Sequence, residues 1–313
     1  MLDPQVQAVL EMVIRAGRPA YNTLTPKEAR QLFRETRPAS TPTPPEIGVV
    51  KDLVADGPRG IAIPLRLYRP RGVDATAALP VLMFFHGGGW VIGDLETHDV
   101  LCRQLTAEAG IAVVAVDYRL APEAKFPAAV DDAWTATRWV VAHAEQLGID
   151  GRRVAVGGDS AGGNLAAVVA LLARDAGAPQ IALQALLYPV ADVGTEWPSY
   201  QTFSDGYLLT AESMRWFIAH YLTSEKEAVD WRVSPLRAPS LHGLPPALIV
   251  TAGFDPLRDE GEAYARALRD ASVRVDYVCY GGMIHGFIPM GRLIDTGNRA
   301  VSHMAASLRQ ALR

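Results

Sequence analysis

The chain has 313 residues, 49% hydrophobic and 20% charged, enough for one large domain with a substantial core and a small appended part. Its net charge of −4 offers no basic surface for nucleic acid or for an anionic membrane, and no apolar run reaches the ~20 residues of a spanning helix. Two cysteines in apolar stretches, Cys102 and Cys279, read as buried free thiols, and Asp3 and Glu11 interrupt any secretory signal, so the expected location is cytoplasmic.

In chain order, Val6, Val9, Leu10, Val13 and Ile14 recur at helical spacing. Thr25-Pro26-Lys27-Glu28 reads as an N-cap with proline at the first helical position, opening a second helix through Phe33. Pro38 to Pro45 holds four prolines and reads as an extended linker. Residues 47–55 and 61–69 form a hairpin pattern that turns at Asp56-Gly57. Short apolar runs follow at 79–85, 111–117, 154–158, 181–189, 246–253 and 273–280, the pattern of strands buried on both faces. Helical stretches separate them at 96–109, 126–146, 161–174, 258–271 and 298–312. The alternation predicts an α/β fold, a mainly parallel sheet flanked by helices. Between about 191 and 244 no strand is expected and aromatic residues are dense, which reads as a helical insertion packing with the N-terminal helices as a cap. The expected organisation is therefore 1–45 as an N-terminal helical cap segment and linker, 46–190 and 245–313 as the two parts of the core, and 191–244 as the cap insertion.

The strongest chemical signal is Gly158-Asp159-Ser160-Ala161-Gly162, directly after the run at 154–158 and before a helical stretch. Gly-x-Ser-x-Gly in a strand–turn–helix setting is a nucleophile elbow, with the serine on a strained turn and its neighbours small. His86-Gly87-Gly88-Gly89-Trp90 follows the run at 79–85 and exposes backbone N–H groups suited to an oxyanion. Gly88 and Gly89, joined by the N–H of Ala161, are the expected donors, with Gly87 as a substitute; His86 is expected to brace the loop. A serine needs a base. Of seven histidines, His143 and His303 fall on helical stretches, His220 and His242 in or beside the insertion, and His98 opens a helix. His285 instead follows the last strand in a glycine-rich turn, where active sites of open α/β sheets collect. Asp255 is the first acid beyond the run at 246–253, and it is assigned to orient His285; Asp259 and Glu260 read as first-turn acids of the next helix. Arg119 and Glu123 are expected to pair beneath the site. No HExxH, paired CxxC or Gly-x-x-x-x-Gly-Lys-Ser/Thr pattern calls for a metal or a nucleoside phosphate.

HGGGW (86–90), DYRLAPE (117–123), GDSAGG (158–163), the DPLRDE stretch from Asp255 and HGF (285–287) occur in the order of the hormone-sensitive lipase family, the family IV bacterial and archaeal esterases, and the chain resembles that family across most of residues 80–290. The resemblance implies an α/β-hydrolase fold with an eight-stranded, mainly parallel sheet and a helical cap. It also implies hydrolysis of short- to medium-chain acyl esters, with the triad roles falling on Ser160, Asp255 and His285. No cofactor is expected; the partner is a small-molecule ester, and the oligomeric state stays open, a homodimer included. An amidase with the same triad, or a ligand-binding protein on the same fold, remains as an alternative.

Overall fold

The structure, a computed structural model, describes residues 1–74 and 77–313. Helix α1 (Pro4–Arg15) starts at Asp3, whose carboxylate accepts the Gln5 N–H. Helix α2 (Pro26–Ser40) starts at a reciprocal capping box between Thr25 and Glu28. The chain continues as β1 (Val49–Asp56), β2 (Ala62–Arg69), β3 (Leu79–Phe85), α3 (Leu95–Ala109), β4 (Ala112–Val116), α4 (Ala128–Ala142) and α5 (Ala144–Leu147). Then come β5 (Ile149–Asp159), α6 (Ala161–Ala176), β6 (Ile181–Leu187), α7 (Pro198–Thr202) and α8 (Ala211–Tyr221). The last elements are β7 (Ala247–Phe254), α9 (Arg258–Asp270), β8 (Val275–Ile284) and α10 (Asp295–Ala311).

The strands form one eight-stranded sheet in the order β1-β2-β4-β3-β5-β6-β7-β8. β2 runs antiparallel to both β1 and β4, and every pair from β4 to β8 is parallel. Alternate side chains of the central strands enter opposite layers, as the period of two requires. Val81, Met83 and Phe85 of β3 pack with Ala129, Val130, Leu165 and Val169 of α4 and α6. Leu82 and Phe84 face the other way, toward Leu101 and Leu105 of α3 and Val301 and Met304 of α10. Both faces are covered, which is why β3, β4 and the 154–158 stretch of β5 carry no charged side chain. Each fully buried side chain of this kind stabilises by about 1.5–3 kcal/mol.

Three local expectations are corrected. Helix α2 runs on through Pro38 to Ser40, so the prolines at 42, 44 and 45, not Pro38, mark its exit. The hydroxyls of Ser40 and Thr41 both donate to the Arg37 carbonyl, closing the last turn beyond the proline. β8 extends through Gly281 and Gly282 to Ile284, so His285 follows the strand directly instead of lying in a turn after residue 280. Cys279 is exposed while Cys102 is buried, and both are free; β8 is the sheet's edge strand, so part of its apolar-looking run faces outward.

Residues 191–244 contain α7, α8 and short 3₁₀ turns but no strand. The rings of Tyr21 and Phe217 meet at 5.9 Å, joining the N-terminal segment to α8. Arg30 of α2 fastens the same segment to the core, donating to the carbonyls of Val91 and Ala121 and pairing with Glu123. Among the described residues no helix is long and apolar enough to cross a membrane.

Candidate active site

Ser160 sits between β5 and α6 with φ 56° and ψ −118°, a backbone region that costs an L-residue roughly 1–3 kcal/mol. The turn is held from both sides: Ser160 N–H donates to Leu187 O at 2.8 Å, and Ser160 O accepts from Asn164 N–H at 3.0 Å. A side chain at Gly158 or Gly162 would run into the Phe85 carbonyl at the end of β3. The flanking glycines are therefore a packing requirement of the β3–β5–α6 junction.

His285 Nε2 lies 3.0 Å from Ser160 Oγ, and His285 Nδ1 lies 2.8 Å from Asp255 Oδ2. Asp255 is fully buried, and its second oxygen accepts the Leu257 N–H at 2.8 Å, which fixes the carboxylate plane. Tyr188 packs against the imidazole at 4.7 Å between ring centres. Residues separated by 125 and 30 positions in the chain thus form one continuous line of hydrogen bonds, the geometry by which a base removes a serine proton while its own charge is met by an acid.

Beside Ser160, no described hydrogen bond uses the N–H groups of Gly88, Gly89 or Ala161. Gly88 and Gly89 have φ 117° and 57°, and a Cβ on Gly89 would strike the Phe217 ring. Ala161 opens α6, so its N–H belongs to an unsatisfied first turn. Gly87 is not a substitute donor, because its N–H is committed to Asp159 Oδ1 at 2.9 Å.

That bond belongs to a buried network the sequence reading missed. Asp159 also pairs with the buried His98 Nε2 at 3.2 Å, so this histidine does more than open a helix. Burial opposes the charge on Asp159, but His98 and then Arg37 outweigh it and hold the carboxyl near 2. His86 braces the loop as expected: its Nδ1 lies 2.8 Å from Gly87 O, and Tyr118 stacks on the ring at 4.3 Å. Burial keeps His86 neutral, with its pKa lowered to about 4. The only advance signal for this network was the acid beside the nucleophile.

Asp159→Asn keeps an acceptor for Gly87 but loses the charge that faces His98 and Arg37. We expect kcat to fall about 10–100-fold on loosening of one oxyanion wall, with KM little changed. Because the folded pKa lies below the ordinary ~3.9 of an unfolded Asp, the charge stabilises the wild type above about pH 4, and this contribution is lost as pH falls toward 2. Thermal unfolding of the two proteins from pH 2 to 7 should therefore converge at the acid end. A constant gap across that range would assign Asp159 a purely steric role.

The expected Arg119–Glu123 pair does not form. Arg119 makes a two-pronged contact with the buried Asp132 of α4, at 2.8 and 2.7 Å, and Glu123 pairs instead with Arg30. Asp259 and Glu260 do more than complement a helix end: Asp259 accepts the Ser199 N–H and Glu260 the Ala191 N–H, tying the 191–199 stretch to α9.

An eight-stranded α/β sheet with serine on the β5–α6 turn, aspartate after β7 and histidine after β8 defines the α/β-hydrolase class. Residues 82–289 match the family model described as the alpha/beta hydrolase fold. The chain is 50% identical to the carboxylic ester hydrolase LipN of Mycobacterium tuberculosis over 86% of its length and 72% of that protein's. It is 40% identical to the ethyl acetate hydrolase of Pseudomonas putida, covering 99% of each. Among solved structures, an ester hydrolase from the metagenome of Lake Arreo superposes with a TM-score of 0.95 at 42% identity, over 99% of both chains. A thermostable esterase of Pseudomonas putida gives 0.95 at 43% identity, over 100% of this chain and 98% of the other. The chain belongs to the α/β-hydrolase family, in its hormone-sensitive-lipase-like group of esterases.

Proposed function

We propose that this chain is a carboxylesterase that cleaves short- to medium-chain acyl esters through an acyl-enzyme on Ser160. His285 takes the Ser160 proton as Oγ attacks the ester carbon, and Asp255 stabilises the imidazolium. The N–H groups of Gly88, Gly89 and Ala161 receive the oxyanion. The alcohol departs with the proton from His285, and water then releases the acid by the same steps. The observation that carries this reading is the unbroken Ser160–His285–Asp255 line beside three unengaged N–H groups. The names of LipN and of the ethyl acetate hydrolase point the same way.

Ser160 and His285 open into a mostly apolar cavity of about 360 Å³, at the small end for ligand pockets. Helices α1, α2 and α8 contribute to its walls, through Val9, Val13, Leu32 and Phe217. We assign residues 1–45 and 191–244 to a cap that sets the length of chain admitted. The two free cysteines favour a reducing, cytoplasmic location. With p-nitrophenyl esters from acetate to palmitate, kcat/KM is expected to peak at short or medium chains. A peak at palmitate, with a rate jump at an oil–water interface, would replace this reading with that of a lipase.

A further inference from the structure

The cavity that holds Ser160 has a charged group in its wall that the mechanism does not use. Arg37 lies in the last turn of α2, lines the cavity and is only 8% exposed. Its Nε donates to the Thr97 carbonyl at 3.3 Å, and the guanidinium sits 5.2 Å from the Phe33 ring centre. No described hydrogen bond or ion pair uses either Nη. Arg69, equally buried at 8%, shows what a structural arginine does: its Nη atoms donate to the carbonyls of Leu147, Gly148 and Ala77. Asp159 is not the missing partner of Arg37, since its oxygens face Gly87 N–H and His98. Burial pushes the Arg37 pKa down, and the nearby Asp159 charge, which it does not touch, offsets this only in part. Neither Nη is among the buried polar atoms that lack a partner, so both open to accessible space, where an incoming acceptor can meet them.

We infer that Arg37 is a specificity-determining residue that receives a carboxylate carried by the substrate away from the scissile ester, which makes half-esters of dicarboxylic acids the favoured substrate class. The two free Nη groups match the two oxygens of a carboxylate, as a single neutral acceptor does not. The surrounding walls, Val9, Leu32, Phe33 and Leu293 among them, suit the methylene chain between the two carbonyl carbons. This inference rests on the esterase reading and narrows it to one class of ester.

The test pairs ethyl half-esters of dicarboxylic acids, from malonate to suberate, with neutral ethyl esters of equal length. The readout is the ratio of kcat/KM within each pair. In the wild type the ratio should exceed about ten at one chain length, the size expected for a hydrogen-bonded charge pair. In Arg37→Met it should fall below one, and Arg37→Lys, which keeps the charge without the planar fork, should retain part of it. A wild-type ratio at or below one at every length overturns the inference. So does a loss in Arg37→Met that scales both series equally, since that marks a structural role. Calorimetric binding of the same half-esters to Ser160→Ala, with and without Arg37→Met, reads the contact without turnover. Arg37-dependent binding alongside complete absence of ester hydrolysis would sink the esterase reading and leave this site standing; binding indifferent to Arg37 would overturn the site.

Discussion

Ser160→Ala is expected to reduce kcat on p-nitrophenyl butyrate by on the order of 10⁴–10⁶-fold while leaving the thermal midpoint within about 2 °C of wild type. The first half follows from chemistry. With Oγ gone, His285 has no proton to take and no acyl-enzyme can form, so only the N–H groups of Gly88, Gly89 and Ala161 remain to help water attack. The second half follows from the backbone. Alanine pays the same price as serine for φ 56°, and the bonds from Ser160 N–H to Leu187 and from Asn164 N–H to Ser160 O do not involve the side chain. The Oγ is 3.0 Å from His285 and makes no other described bond, so its removal leaves one exchangeable contact unmet. The check is kcat from a preparation whose circular dichroism melt matches the wild type. Retention of even a tenth of the activity would remove Ser160 as the nucleophile.

The chain's local patterns announced the sheet because β3, β4, β7 and the second half of β5 are covered on both faces, so their burial is written as short runs without charge. The elbow was legible for a related reason: the Phe85 carbonyl leaves no room for a side chain at Gly158 or Gly162. What stayed hidden was choice among partners distant in sequence. Arg119 could be matched by proximity to Glu123, but α4 presents Asp132 to it from thirteen residues on, and Glu123 goes to Arg30 of the N-terminal segment. No periodicity distinguishes these pairings; helix placement decides them. Cys279 was misjudged because an apolar run does not reveal whether its strand lies at the centre or the edge of a sheet. Arg37 was invisible for a third reason. It sits beside the prolines that read as a linker, and only the actual course of α2 brings it into the cavity wall.

The same packing accounts for how the glycine loop 86–90 is held. Asp159 grips it at Gly87, while Arg30 grips the following turn at the Val91 carbonyl from α2. The N-terminal segment therefore supports the loop from outside as the residue next to Ser160 supports it from within. Gly88 and Gly89 lie between these two anchors, and no described hydrogen bond uses their N–H groups.

Asp255→Asn is expected to lower kcat by about 10⁴-fold with little change in fold, and the reason lies in the second oxygen of the carboxylate. Asp255 Oδ1 accepts the Leu257 N–H at 2.8 Å, so an asparagine must place its carbonyl oxygen there to avoid setting two donors against each other. That choice turns the amide NH₂ toward His285 Nδ1, now 2.8 Å from Oδ2. Nδ1 must then accept, and the ring proton moves to Nε2, where it points at Ser160 Oγ. The histidine still sits in place but carries a proton at the one atom that has to receive one. The volumes of Asp and Asn are nearly equal, so the loss should appear in kcat far more than in the melting temperature. Nitrogen-15 NMR of labelled histidine checks the tautomer directly: wild-type His285 should be protonated on Nδ1 at neutral ring charge, and the variant on Nε2. If the variant kept kcat within about tenfold of wild type, or kept its proton on Nδ1, Asp255 would be a bystander and the orienting acid would have to be sought elsewhere along the cavity wall.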